Sequence, residues 1–391
     1  MADPPSQPTS RRRAAFIASE VYRSTTYGSR HPLAIPRVSL AMDLCRALGW
    51  FEGGLYIESP RATASELARF HEPLYIAAVE AAERDGAVPE DMARKYHLGV
   101  NGNPIFDGMY RRPATACGGG MLAARLLMAG EVDVVHAPGG GQHHARAGHA
   151  SGFCFFNEPV LTILALLERG SERVFYLDLD AHHGDGVEDA FADDERVMTV
   201  SIHEVGRWPM ARMLKDGDSH SGPGAADYRA GGHARNLPVP PGFNDAELDY
   251  LMAAAVLPLL DDFAPDAVYV QGGCDALAED PQSKLTLTNG GLRAAVAAVR
   301  DASKRLIVAG GGGYNPYAVG RCWAGYWAEL AGFAIPDRLP AAAEACLRAV
   351  VWHHRLGRNA PEHWFETLAD VPVSGPVRDE IKDLARRALA P

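Results

Sequence analysis

Short apolar runs, many of them rich in β-branched residues, recur along the chain at Ala14–Ala18, Val132–His136, Val174–Leu177, Val197–Ile202, Ala267–Gln271 and Leu306–Ala309, each bounded by glycine, proline or charge. Runs that stay apolar instead of alternating predict strands buried on both faces. Between them lie segments with helical spacing, clearest over 245–263, which Asn244 opens with Glu247 three residues on, in the manner of a capping box. Strands alternating with helices predict a mainly parallel central sheet flanked by helices, an α/β domain. No internal repeat or long linker divides the chain, so one domain over 13–370 is expected. A flexible tail over 1–12 would precede it and a helical extension over 371–391 would follow. Within the extension, 377–389 has helical spacing after the breaker Ser374-Gly375-Pro376 and reads as a packing helix.

In such sheets ligands bind beyond the carboxyl ends of the strands. The segments richest in glycine, histidine and aspartate fall in that place. GGGQHHA (139–145) follows the second run, DLDAHHGDG (178–186) the third, GGCDAL (272–277) the fifth and GGGGYN (310–315) the sixth. Four loops from four strand ends are therefore expected to converge on one site.

Composition narrows what that site serves. The chain has 391 residues, 47% of them hydrophobic and 22% charged, and a formal charge of −11. That composition excludes a mainly disordered chain, and no apolar run approaches the ~20 residues that span a bilayer. An acidic total without a long Lys/Arg block argues against nucleic acid as the main partner, because that affinity comes from displaced counterions. The Arg11-Arg12-Arg13 run is followed by too short an apolar stretch for a signal peptide, which gives a cytoplasmic expectation. Six cysteines are scattered without a CxxC pair, so a structural zinc finger is not expected. The fifteen histidines say more, since several are grouped.

Asp180 and His182 are two apart, and at an extended strand end such side chains point the same way and could grip one ion. A catalytic zinc usually takes three protein ligands and keeps a position open. Asp275, behind Gly272-Gly273 at the end of a buried run, is the best third donor. Taken singly, Asp275 reads better as a helix N-cap, and Asp178 and Asp180 as turn formers. Together with the histidine pairs they read as a site. Mixed nitrogen and oxygen ligation favours zinc, with iron(II) or cobalt(II) compatible with the same donors. A dinuclear manganese cluster would need further carboxylates. His143 and His144 lie in a glycine-dense loop and could act as a base and acid pair, with Asp178 and Asp185 as the carboxylates that set their protonation. His136 and His149 have no such arrangement and read as structural. Tyr314 follows four glycines, where its phenol either reaches an oxyanion or packs on the loop.

The segments GGGQHHARAGHASGFCFFNEP (139–159), DLDAHHGDGVEDAF (178–191), GGCDALAEDP (272–281) and GGGGYNPYAVGRCW (310–323) are similar to the zinc-dependent histone deacetylase superfamily. That superfamily includes bacterial acetoin-utilisation-type proteins and acetylpolyamine amidohydrolases. The similarity runs from about residue 14 to 330 and takes in GSRHPLAIPR (28–37) and GNPIFDGMY (102–110). It implies a bacterial-type member with an arginase/deacetylase fold and one catalytic zinc on Asp180, His182 and Asp275. His143 and His144 match the paired histidines, Asp178 and Asp185 the carboxylates behind them, and Tyr314 the catalytic tyrosine. The resemblance also implies a structural potassium ion held by the Asp178 and Ser201 side chains and the carbonyls of Asp180, His182 and Ile202. Phe153 and Trp208 resemble the walls of an acyl tunnel, with Gly152 beside them as a substrate contact. Arg37 resembles a residue below the site near an exit channel.

The implied reaction is amide hydrolysis, with His144 as general base and then acid, His143 as its electrostatic partner and Tyr314 on the oxyanion. Three departures bear on substrate. Where lysine deacetylases carry a rim aspartate for the peptide backbone, residues 99–104 read GVNGNP, without a carboxylate. Trp208 stands where phenylalanine is common, and Gln282 where the mouth is often apolar. A deacylase acting on acyl-lysine side chains or small acylated amines is expected, with acetylpolyamine hydrolysis as the alternative. An arginase-like manganese ureohydrolase and a non-catalytic binding protein rank below, because the Asp/His/Asp, His-His and Tyr set is complete. The sequence leaves open whether the chain forms a homo-oligomer.

Overall fold

The computed structural model describes residues 12–24, 27–28, 31–52, 55–210 and 222–390. The tail expected over 1–12 therefore lies, save for Arg12, outside the described residues. Eight strands form one sheet: β1 (Ala14–Ala18), β2 (Leu55–Glu58), β3 (Val134–Ala137), β4 (Val174–Asp178), β5 (Val197–Glu204), β6 (Ala234–Val239), β7 (Ala267–Gln271) and β8 (Leu306–Ala309). Their order is β2-β1-β3-β8-β7-β4-β5-β6, and every pairing is parallel. All six expected runs are strands, three with the expected boundaries and three shifted by one or two residues. β2 and β6 were not anticipated. They are the two edges, and β6 carries Arg235, Asn236 and Pro238, which interrupt the apolar signal where an edge tolerates them.

The central strands are buried on both sides, which explains the unbroken apolar runs. Phe175, Leu177, Val268, Val270, Leu306 and Val308 pack into one hydrophobic layer, while Val174, Tyr176, Ala267, Tyr269 and Ile307 pack into the layer on the opposite face. Helices Val38–Ala47, Asn289–Ala302 and Pro316–Ala331 cover the first face, and Pro73–Asp85, Arg111–Met128 and Glu158–Glu168 the second. This is a single α/β domain with an all-parallel sheet, as the alternation of strands and helices predicts.

The helical segment over 245–263 forms with the expected capping box at Asn244 and Glu247, but a π-helical stretch at Met252–Val256 interrupts it. Pro258 follows that stretch and has no N–H to continue a regular ladder. The C-terminal helix runs Asp379–Leu389 and buries Ile381, Leu384, Ala385 and Ala388 in the first layer. Arg378 anchors it with a two-pronged ion pair to the buried Glu247, at 2.6 and 2.7 Å. No helix among the described residues is long and apolar enough to cross a membrane.

A second tie holds residues 367–370 against helix Pro316–Ala331. Arg321 is fully buried on helix Pro316–Ala331, donates to the Thr367 carbonyl at 2.7 Å and pairs with Asp370 at 2.5 Å. Removing a buried cation strands its partners away from water, so Arg321→Met is expected to cost about 3 kcal/mol of unfolding free energy. Urea denaturation checks this, and a change within ~0.5 kcal/mol would show the tie to be incidental.

Candidate active site

β3, β8, β7 and β4 are neighbours in the middle of the sheet, so the four loops leaving their carboxyl ends share one crevice. A narrow cavity of about 60 Å³ opens there, lined by His143, His144, Asp180, His182, Phe153 and Tyr314 among others. Asp180 and His182 sit in the turn just past β4, not on the strand itself. The turn is built by the aspartates: Asp178 Oδ1 accepts the N–H of Asp180 at 3.1 Å, and Asp180 Oδ1 accepts that of His182 at 3.0 Å. Turn formation and site formation thus use the same side chains. Asp275 does not cap a helix. Its Oδ1 accepts the N–H of Ala181 across the crevice at 2.8 Å, which fixes the β7 loop to the β4 loop.

The donor atoms of Asp180, His182 and Asp275 all lie within 4.8 Å of one another. His182 Nδ1 is 2.8 Å from Asp275 Oδ2 and 3.2 Å from Asp180 Oδ1. Glycine makes this crowding feasible, since a Cβ at Gly312 would overlap the Asp275 carboxylate and one at Gly273 the Asp180 carboxylate. Burial alone would discharge His182, yet Asp275 and Asp180 outweigh it and push the imidazole up to about 10. Two buried carboxylates that recruit a proton at neutral pH demand positive charge, which a divalent cation on the same three donors would supply.

The histidine pair stands beside this cluster. His143 Nδ1 meets Asp178 Oδ2 at 2.7 Å, and His144 Nδ1 meets Asp185 Oδ1 at 2.7 Å. Burial disfavours charge on both rings. At His143, Asp178 and Asp180 overcome it and raise the imidazole to about 9. At His144, burial and the adjacent His143 charge prevail over Asp185, and the ring falls to about 3. These opposite shifts favour a single positive charge on the pair, carried by His143, with His144 neutral. With Nδ1–H given to Asp185, the bare Nε2 of His144 is free to accept.

Tyr314 lies in the β8 loop, and burial raises its phenol well above the ordinary range, so it remains a donor. Its backbone N–H is held by Asp280 Oδ2 at 2.6 Å. Phe153 flanks Tyr314 with ring centroids 6.3 Å apart, and Trp208 sets its edge against His144 at 4.6 Å. Gly152 is pressed between them, where a Cβ would overlap both Trp208 and His144. Arg37 lines the cavity and donates to the Gly311 carbonyl at 2.7 Å.

The remaining expected residues divide. Asp178 and Ser201 are register partners across β4 and β5, so their side chains are brought close, with Ile202 next in line. The Ser201 hydroxyl pairs with His203 Nδ1 at 2.8 Å. Neither Trp208 nor Gln282 is among the residues lining this cavity, and the Gln282 N–H is bound to Asp280 Oδ1. His136 is fully buried, with Nδ1 against the Val308 carbonyl at 2.9 Å, in keeping with a structural place.

Several supporting residues carry no sequence signal. Glu158 is fully buried and accepts the Gly141 N–H at 2.8 Å and the Tyr269 hydroxyl at 2.5 Å, holding the loop that bears His143. Read in sequence, it is an acid in the first turn of a helix, an ordinary position. Arg146 pairs with Asp185 at 2.5 Å, and Asp280 reads as a turn aspartate until Tyr314 is seen against it.

The Histone deacetylase domain family model matches residues 31–330. The chain is 32% identical to the acetoin utilization protein AcuC of Bacillus subtilis, over 95% of this chain and 94% of that one. It is likewise 32% identical to a putative histone deacetylase 2 of Caenorhabditis elegans, over 86% of this chain but only 65% of that longer protein. Among solved structures, a histone deacetylase homologue from Aquifex aeolicus superposes with a TM-score of 0.88 at 33% identity, over 97% of this chain and all of the other. A histone deacetylase homologue complexed with SAHA gives the same score at 34% identity.

Proposed function

Since the chain belongs to the histone deacetylase family, we propose that it is a zinc-dependent deacylase that removes acetyl or short acyl groups from lysine side chains or small amines. The observation that carries this reading is the meeting, on one cavity, of the Asp180/His182/Asp275 cluster, a histidine pair split into charged and neutral members, and the Tyr314 phenol. The family and the donor set point to a single zinc on Asp180, His182 and Asp275, which when bound supplies Lewis acidity for the acyl carbonyl and the attacking water. The same reading places a potassium ion on Asp178, Ser201 and the carbonyls of Asp180, His182 and Ile202.

The protein's own groups do the rest. Neutral His144 takes the proton of the attacking water at Nε2 and returns it to the departing amine, with Asp185 holding the ring at Nδ1. Charged His143 stabilises the negative charge that develops on the carbonyl oxygen. Tyr314 donates to that oxygen, and Phe153 and Trp208 wall the acyl group from water. Tyr314→Phe is expected to lower kcat by ~10²–10³ with KM little changed. The fold should survive, because Asp280 holds the Tyr314 backbone N–H and not the phenol. An unchanged kcat would remove Tyr314 from the reaction.

The split protonation has a sign that kinetics can read. The reaction needs His144 neutral and His143 charged, so kcat/KM should hold through neutral pH and fall on the alkaline side as His143, whose proton Asp178 helps to retain, is discharged. Asp178→Asn removes a negative charge that retains that proton, so the alkaline limb should move to lower pH. A limb that stays in place belongs to another group.

Acetyl-lysine peptides, free acetyl-lysine, acetylputrescine and acetylspermidine, assayed with and without a zinc chelator, test the substrate class. Turnover of both lysine and small-amine substrates, lost on chelation, is expected. A second reading, acetylpolyamine hydrolysis, draws on the rim loop 99–104, which has no carboxylate and whose Asn103 side chain is buried. Turnover of the polyamines alone would select it.

A further inference from the structure

Phe153 stands at the tip of a two-residue hairpin. Ser151 and Cys154 exchange both backbone hydrogen bonds, at 3.0 and 2.8 Å, and the residues between them have positive φ, 54° at Gly152 and 67° at Phe153. A turn with two left-handed central residues normally takes Asn-Gly or Gly-Gly. A phenylalanine in second place is held against its own backbone preference, so something outside the turn must hold it.

That restraint comes from the rim loop. Asn103, only 1% exposed, accepts the Phe153 N–H on Oδ1 at 2.9 Å and donates from Nδ2 to the His97 carbonyl at 3.1 Å. An uncharged amide carries its acceptor and its donors on separate atoms, so one side chain makes both bonds in opposite directions. His31 adds packing. Its ring meets Phe153 edge-on, centroids 4.5 Å apart. Its Nδ1 accepts the Leu33 N–H, which leaves Nε2–H to donate to the Gly102 carbonyl at 3.1 Å.

We propose that Asn103 is a positioning residue for the acyl passage: by fixing the left-handed Phe153 it sets the wall against which the acyl group is selected. The rim loop therefore acts inward, on the acyl group, and not outward on a peptide backbone. The inference rests on the deacylase reading of the same site, but one of its tests does not.

Steady-state kinetics on acetyl- and butyryl-lysine substrates should be measured for Asn103→Ala, Phe153→Gly and the double variant. Asn103→Ala is expected to raise KM for the acetyl substrate about fivefold with kcat changed less than ~2-fold, and to raise the butyryl-to-acetyl ratio of kcat/KM. In the Phe153→Gly background, where wall and strain are both gone, Asn103→Ala should change KM by less than ~2-fold. An undiminished effect there, or an unchanged acyl ratio, would mean that Asn103 merely braces its own loop and would overturn the proposal. A crystal structure of Asn103→Ala gives a readout free of activity: Phe153 is expected to leave the left-handed region, and a φ still near 67° overturns the proposal. Absence of turnover by the unsubstituted enzyme would instead overturn the deacylase reading and leave that crystallographic result decisive for Asn103.

Discussion

Asp275→Asn is expected to abolish turnover and to empty the chain of metal while leaving the fold in place. The amide is isosteric and can still accept the Ala181 N–H that Asp275 Oδ1 holds at 2.8 Å, so the bridge between the β7 and β4 loops persists. What changes is charge. In the native cluster two buried carboxylates face one imidazole, and His182 rises to about 10 because a single proton does not satisfy both. With Asp275 neutral, one proton shared by Asp180 and His182 balances the site, and the advantage of a divalent cation over that proton is lost. Metal analysis of dialysed protein should give one zinc per native chain and almost none for the variant. Chelation should inactivate the native enzyme, and zinc should restore it but not the variant. Retention of both zinc and turnover by Asp275→Asn would dismiss Asp275 as a ligand. Two manganese ions per native chain would move the protein to the ureohydrolase reading.

How far this site was legible follows from the kind of signal each residue leaves. The strands that carry it are buried on both faces, so β4 and β7 read as unbroken apolar runs, and glycines after them mark where carboxylates crowd the backbone. Histidine and aspartate concentrated behind such runs have few structural uses, so Asp180, His182, Asp275 and the His143-His144 pair stood out. Edge strands β2 and β6 did not, because one of their sides needs no partner and their sequence is free to include Arg235 and Pro238. Supporting residues were hidden for a different reason. Asp280, Glu158 and Asn103 act on backbone N–H groups of Tyr314, Gly141 and Phe153, which lie 34, 17 and 50 positions away. Such partners are specified by the folded chain and not by any local pattern, and an acid or amide in a loop looks the same whether it caps a turn or braces a site.

His144→Ala is expected to lower kcat by ~10²–10⁴, the range for a positioned general acid and base. The loss should be chemical and not structural, because the carboxylate left behind is not stranded: Asp185 keeps Arg146 at 2.5 Å after the imidazole is gone. His143→Ala is also survivable, since Asp178 keeps the Tyr176 hydroxyl at 2.6 Å and the Asp180 N–H at 3.1 Å. The two variants can therefore be compared on folded protein, with circular dichroism as the control. Their order is the informative result. If the proton on His143 serves only to stabilise charge, while neutral His144 moves the protons, His144→Ala must cost more than His143→Ala. The reverse order would exchange the two roles. Combining His144→Ala with Tyr314→Phe sharpens the test. Groups that act as one unit are not additive, so the double variant should lose less than the product of the single losses. Full additivity would mean that the base and the oxyanion donor contribute independently.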